Sequence, residues 1–299
     1  LLGSILLNTD AANDVREIIP SAEDFYSPAN AAIYGVVMDL EDSMRIISDL
    51  GATGLEILGE GHIPNYPNPT DEWLAHWFEL LKKYNLEPTN YGSWIDTRLH
   101  KGSTIDGKTG AEMLMRDLRL ASKLGFKFVR PKIGVVSSEL DPDPSWDEAV
   151  ERSLDLAAEL DIIICPEIHQ PTPIKHPVVD GYIDFIQRTG TKHFGLLIDT
   201  GIFQDPETRP AYMRGPRVEP EHLLDIKDYV VFIQAKFINI TDEFTDEHIP
   251  WQPVLQALKD SGYEGYLSSE YEGERVPWRG VDQVRRQHAL MRKVEASLN

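Results

Sequence analysis

Ile162-Ile163-Ile164-Cys165-Pro166-Glu167-Ile168-His169 is a short apolar run that stops in a carboxylate, and the same form returns at intervals of about 35 residues. Downstream lie Phe194-Gly195-Leu196-Leu197-Ile198-Asp199, Val230-Val231-Phe232-Ile233-Gln234 and Tyr266-Leu267-Ser268-Ser269-Glu270. Upstream lie Lys127-Phe128-Val129-Arg130, the stretch from Pro88 to Trp94, and Gly54-Leu55-Glu56-Ile57-Leu58-Gly59. Amphipathic stretches of helical length separate the runs. A strand, a loop and a returning helix, repeated, give parallel strands joined by right-handed crossovers. Seven such units and a first strand at Gly3 to Leu7 make eight, so the sequence predicts an α/β fold, a closed (β/α)8 TIM barrel, as a single domain over residues 1–299.

The punctuation between the runs agrees with this period. Pro69-Thr70-Asp71-Glu72 reads as a helix N-terminus, with Thr70 or Asp71 as cap and acidic residues in the first turn. Helices are predicted from Ala111 to Leu124, Val178 to Thr189 and Pro253 to Ser261, each stopped by a glycine (Gly125, Gly190 and Gly262). Another starts after Ser145, and a last one spans about Val281 to Ser297. Thr9 to Val37 fits the period poorly and reads as a loop insertion after the first strand. Asp205 to Pro220, rich in Pro, Arg and Asp, reads as a long loop after the sixth strand.

Composition narrows the function. An apolar fraction of 41% is enough for a core, yet no apolar run reaches 18 residues, so no membrane span is expected. The net charge of −20 would repel phosphate backbones, which weighs against a nuclease or other nucleic-acid partner. Cys165 is the one cysteine, which excludes an internal disulfide; with no secretory signal pattern at the start, a cytoplasmic location is expected. Gly102 to Thr109 matches the phosphate-binding P-loop letter for letter. That motif must follow a buried strand at once, however, and here Asp96 to Lys101 intervenes, so it reads as a polar loop before a helix.

The chemistry gathers at the ends of the late runs, where barrel active sites lie. Glu167 and His169 are two apart, so in an extended segment they share a face. Asp199 follows Leu196-Leu197-Ile198, and its bland alternative is a helix cap. Gln234 is followed two residues on by Lys236, and Glu270 by Glu272. Four oxygen-bearing side chains at four successive strand ends, Glu167, Asp199, Gln234 and Glu270, would converge on one point suited to a divalent cation. Arg130 ends the fourth strand and is a candidate to bind substrate hydroxyls. His62, Trp94 and Phe203 fall on loops facing the mouth, as candidates to stack on substrate. For each of these four, packing is the competing reading.

The pattern resembles the xylose isomerase-like barrels, also called sugar phosphate isomerases/epimerases. That resemblance implies Glu, Asp, His and Glu on strands five to eight as ligands of one Mn2+, Mg2+ or Co2+. Glu167, Asp199 and Glu270 match by position, and Gln234 stands where the His belongs. A neutral amide oxygen in place of imidazole favours Mn2+ or Mg2+ over Zn2+. Longer stretches resemble the catalytic α subunits of C-glycoside deglycosidases: Ile63 to Trp73, Glu167-Ile168-His169, Thr189 to Phe203, Ala235-Lys236-Phe237, Gly262 to Gly273 and Gln283 to His288. The ketohexose epimerases fit less well, since Ile202 stands where they carry a substrate-binding His.

The closer resemblance implies a metal-dependent lyase acting on 3-oxo-glycosides, by removal of a proton beside the ketone and loss of the aglycone. His169 is then the general base, because imidazole titrates near working pH. Glu167 or Glu270 is the rival, and Lys236 polarises an oxygen or protonates the leaving group. The same resemblance implies a small β-rich partner subunit. Two alternatives share the scaffold: a keto-sugar isomerase/epimerase with the same metal site, and a non-catalytic barrel whose metal site has decayed.

Overall fold

The computed structural model describes residues 40–95, 104–132, 145–209, 214–274, 276 and 278–298. The expected first strand at Gly3–Leu7 and the insertion at 9–37 lie outside this range. Helix α1 (Leu40–Asp49) leads into β1 (Gly54–Leu58), the short α2 (Gly59–His62) and α3 (Asp71–Tyr84). Then follow β2 (Glu87–Ser93), α4 (Gly107–Leu124), β3 (Phe128–Pro131), and a pair of short helices, α5 (Trp146–Glu151) and α6 (Leu154–Glu159). The second half comprises β4 (Ile163–Ile164), β5 (Glu167–Ile168), α7 (Pro177–Thr189), β6 (Leu196–Asp199), β7 (Val230–Phe237), α8 (Trp251–Ser261), β8 (Leu267–Tyr271) and α9 (Arg279–Glu295). None of the described helices is long and apolar enough to cross a membrane.

Among the described residues every strand pairing is parallel and sequential, in the orders β1-β2-β3-β4 and β5-β6-β7-β8. The run around Ile162–His169 is thus two short strands instead of one. Pro166 has no N–H and interrupts the ladder. The chain pairs on both sides there: Cys165 N–H donates to the Val129 carbonyl of β3 at 2.9 Å, while Ile164 N–H donates to the His193 carbonyl at 2.9 Å and the Pro166 carbonyl accepts from Leu197 of β6 at 3.2 Å. At the two ends of the order, β1 and β8 face each other, and Ser268 Oγ donates to Glu56 Oε2 at 3.1 Å.

Local chemistry sets the helix boundaries. The Thr70 hydroxyl accepts from Trp73 N–H at 3.2 Å and starts α3. Helix α4 begins a turn before the expected Ala111, because the Asp106 carboxylate accepts from Thr109 N–H at 2.7 Å. Gly107-Lys108-Thr109 of the P-loop-like stretch are therefore a capped first turn. Gly125 and Gly262 close α4 and α8 in the left-handed region, φ 90° and 74°, which a side chain would strain. The long loop after β6 holds 3-10 turns at Thr200–Phe203, Pro206–Thr208 and Pro220–Asp225, with 210–213 outside the described residues.

Among the described residues, two apolar layers hold the scaffold. Helices and strands meet in a large core in which Trp77, Leu114, Leu118, Leu124 and Val254 are fully buried. Within the sheet wall, Cys165, Leu197 and Phe232 form a second cluster with Phe128 and Tyr266 against it. The Phe128 and Phe232 rings lie 5.3 Å apart, centroid to centroid. This plug closes the floor beneath the C-terminal ends of the strands, so polar side chains above it sit in a cup and not in a pore.

Candidate active site

Strand register brings the polar side chains together. Asp199 of β6 pairs with Gln234 of β7, and Gln234 with Ser268 of β8. One step up, Lys236 pairs with Glu270. Because successive side chains alternate faces, Gln234 and Lys236 point the same way, as do Ser268 and Glu270. Glu167, His169 and Asp199 come together as well, with one ligand-type atom from each lying within 4.8 Å of the others.

Lys236 is the hub. It is buried, and its Nζ is 2.8 Å from Asp199 Oδ2, 2.7 Å from His169 Nε2, 3.0 Å from Glu272 Oε2 and 3.9 Å from Glu270 Oε2. Burial alone would lower the ammonium, but Asp199, Glu270 and Glu272 outweigh it and hold Lys236 above its ordinary range. His169 Nδ1 lies 2.6 Å from the Gln170 carbonyl. A carbonyl only accepts, so Nδ1 carries the proton. Nε2 keeps a lone pair, which takes an N–H of Lys236.

Arg130 faces the opposite wall. Its Nη1 donates to Glu167 Oε2 at 2.5 Å, and its Nε lies 3.4 Å from Glu56 Oε1. Burial would raise Glu167, yet the Arg130 guanidinium above all, with the Lys236 ammonium behind it, brings it down to about 2. Glu270 goes the other way: burial, Asp199 and Glu167 push it up to about 8, despite Lys236. Gly92 makes this packing possible. A Cβ there would stand 2.5 Å from Leu58 Cδ2 and 3.1 Å from Arg130 Nη2.

The other sequence candidates are placed differently. Trp94 is 43% exposed, with the Lys132 ammonium 3.8 Å from its ring centroid. His62 is exposed, and its Nδ1 accepts from Leu58 N–H at 3.0 Å. Phe203 is buried in the main core. Arg130, read from sequence as a binder of substrate hydroxyls, has its guanidinium engaged by two carboxylates. Glu56, Glu272 and Ser268 carried no role in the sequence reading. A signal for Glu56 existed, as the lone charge inside Gly54-Leu55-Glu56-Ile57-Leu58.

The residues fit a divalent cation. Gln234 Oε1 and Glu270 Oε2 are buried acceptors without a hydrogen-bond partner among the described residues. Buried polar atoms are nearly always paired, so two orphan oxygens in one cup indicate a group that would satisfy them. Charge agrees: five carboxylates (Glu56, Glu167, Asp199, Glu270 and Glu272) face two cations, Arg130 and Lys236. Glu167, Asp199, Gln234 and Glu270 would offer oxygen ligands, with His169 Nε2 within reach.

The fold and the site define a parallel α/β barrel with a carboxylate-rich cup at its strand ends, and comparison with known proteins gives its family. The profile of the xylose isomerase-like TIM barrel matches residues 44–294, and the chain belongs to that family. A second profile, the DnaB-like helicase N terminal domain, matches residues 1–49, most of which lie outside the described range. Among curated proteins, the chain is 26% identical to the 3'-dehydrocarminate deglycosidase alpha subunit of Microbacterium sp., over 85% of this chain and 89% of that one. It is 23% identical to the C-glycoside deglycosidase alpha subunit of Arthrobacter globiformis, over 85% and 86%. Among solved structures, D-psicose 3-epimerase in the presence of D-fructose aligns with a TM-score of 0.61 at 16% identity, over 86% and 94%. A xylose isomerase-like TIM barrel protein from Mycobacterium smegmatis in complex with magnesium aligns at 0.58 and 18%, over 89% and 90%. The curated relatives are thus named for deglycosidation, and the first of these solved structures for sugar epimerisation.

Proposed function

We propose that the chain is a divalent-metal-dependent lyase that releases the aglycone from 3-oxo-glycosides, in the manner of C-glycoside deglycosidases. The observation that carries this reading is the His169–Lys236 contact at 2.7 Å, which places a basic lone pair and an ammonium in one cup. Elimination needs both, a group to take a proton and a group to give one. The names of the curated relatives support the substrate class, including its 3'-dehydro ketone.

A divalent ion bound by Glu167, Asp199, Gln234 and Glu270, Mn2+ by preference, would supply Lewis acidity toward the ketone oxygen. The protein's own groups do the rest. His169 Nε2 takes the proton from the carbon beside the ketone, and the C–H electrons form a carbon–carbon double bond. The electrons of the bond to the aglycone leave with it, and the aglycone takes its proton from Lys236. Asp199 keeps Lys236 charged between turnovers, and the Gln170 carbonyl keeps His169 in the useful tautomer.

Epimerisation shares the first step but returns the proton to the opposite face, and structural neighbours named as epimerases support it as the second reading. Incubation with a 3-oxo C-glycoside and a 3-oxo O-glycoside decides between them by chromatography. Free aglycone is the expected product, and an epimerised sugar with the aglycone still attached overturns the lyase reading. A chain that is inert toward both and takes up no metal is the decayed barrel.

The relatives are named alpha subunits, so we read this chain as one half of an assembly with a smaller β-rich subunit, working in a reducing cytoplasm. Native mass measurement on protein from its own host should show a second, smaller chain. This chain alone with full activity would sink that idea.

A further inference from the structure

The metal reading above gives Gln234 an unusual task, because an amide can present either an oxygen or a nitrogen to the cup, and only the oxygen can bind a cation. We propose that Glu56 is the positioning residue that settles this choice, holding the Gln234 amide with its oxygen turned toward the cation. Gln234 Nε2 lies 2.7 Å from Glu56 Oε1, and Gln234 Oε1 is buried without a partner among the described residues.

The orientation follows from the neighbours of Glu56. Its side chain is 15% exposed, inside the barrel wall. Ser268 donates to Oε2 at 3.1 Å, and the Arg130 guanidinium lies 3.4 Å from Oε1. Arg130 can only donate, and the Ser268 hydroxyl gives its proton to Oε2, so Glu56 acts as an acceptor on both oxygens. A carboxylate that accepts cannot also receive an amide oxygen at 2.7 Å, so Gln234 must offer it the NH2. The amide oxygen then points the other way, at the level of Asp199, with which Gln234 is in register. Metal-binding side chains are commonly oriented by an outer partner of this kind. An amide needs one more than an imidazole does, because its two ends have nearly the same shape and opposite polarity. Nothing about Glu56 itself requires a carboxylate for packing: Leu55 and Ile57, on the other face of β1, do that work in the core.

The test is a double-mutant cycle on Mn2+ binding to the full chain, read by calorimetry and by the free-Mn2+ electron paramagnetic resonance signal. Glu56→Leu keeps the volume and removes the acceptor, so the Kd for Mn2+ should rise by about 10- to 100-fold. In a Gln234→Ala background, which has no amide to orient, the same change should add less than about twofold. Wild-type affinity in Glu56→Leu, or an equal loss in both backgrounds, overturns the proposal. Equal losses would mean that Glu56 acts through Arg130 or through the fold. If Glu56→Leu does not fold, Glu56→Gln serves in the same cycle. It should lose several-fold in affinity, since its own NH2 can capture the Gln234 oxygen, and again nothing in Gln234→Ala. Failure of the metal reading is distinguishable, because there the wild type itself takes up no Mn2+.

Discussion

At the scale of single residues, His169 is where the chemistry is decided, because its surroundings allow two roles. The Gln170 carbonyl fixes the proton on Nδ1, so Nε2 carries a lone pair, now held by a Lys236 N–H, that can serve as base or as ligand once the ammonium moves off. Lys236 at 2.7 Å and Asp199 Oδ2 at 3.6 Å share the same corner. A base must reach a substrate carbon, whereas a ligand is saturated by the metal. Metal content of His169→Ala separates the two. As a base, the variant should keep wild-type Mn2+ and lose on the order of 10²–10⁴-fold in the rate at which the substrate α-proton exchanges with deuterated solvent. Loss of metal together with activity would make His169 a ligand. If the proton still exchanges at near wild-type rate while aglycone release stops, His169 serves the leaving group and a carboxylate is the base.

At the scale of elements, strand spacing sets the cup, and one close fit that bears on it is on β2. Gly92 pairs with Arg130 and with Leu58 across the two ladders, and both side chains fill the space a Cβ would need. Gly92→Ala should cost about 1–3 kcal/mol by overpacking. Denaturant unfolding would measure this, and a stability within about 0.5 kcal/mol of wild type would show that the strands yield. Displacing Arg130 should also free Glu167 from its strongest counter-charge. The same elements show what was legible in the sequence. Glu167, Asp199, Gln234 and Glu270 announce themselves because each ends an apolar run, and the period of 2 along a strand then places His169 and Lys236 beside them. Glu56 was not legible as a partner, since Gly54-Leu55-Glu56-Ile57-Leu58 also reads as an ordinary half-buried strand. Its contacts are 178 and 212 residues away in the chain, to Gln234 and Ser268, and no local pattern reports them. The break at Pro166 could have been read from the missing N–H, and the early start of α4 from Asp106 as a cap. Apolar periodicity masked both.

At the scale of the whole molecule, an acidic chain of net charge −20 places its most crowded carboxylates in one cup, and two of them answer to pH in opposite directions. Glu167, drawn down to about 2 chiefly by Arg130 against the cost of burial, contributes stability that is present above the ordinary carboxylate value of 4.5 and lost as pH falls toward 2. Glu270, pushed up to about 8 by burial, then by Asp199 and Glu167, holds its proton more tightly folded than unfolded. Its contribution is fully present below 4.5 and is lost as pH rises through about 8. A divalent cation reverses the second limb, because it binds the ionised carboxylate and displaces the proton. Metal-free protein should therefore lose melting temperature between about pH 5 and pH 8.5, and Mn2+ should restore most at the alkaline end. Calorimetry near pH 7 in two buffers of different ionisation enthalpy should register a proton released on Mn2+ binding. Glu270→Gln should abolish that release and flatten the alkaline decline in the metal-free protein. A melting temperature that is level across this range, or Mn2+ binding with no buffer dependence in the wild type, would show that Glu270 is already ionised in the empty cup, with Lys236 alone sufficient to hold its charge.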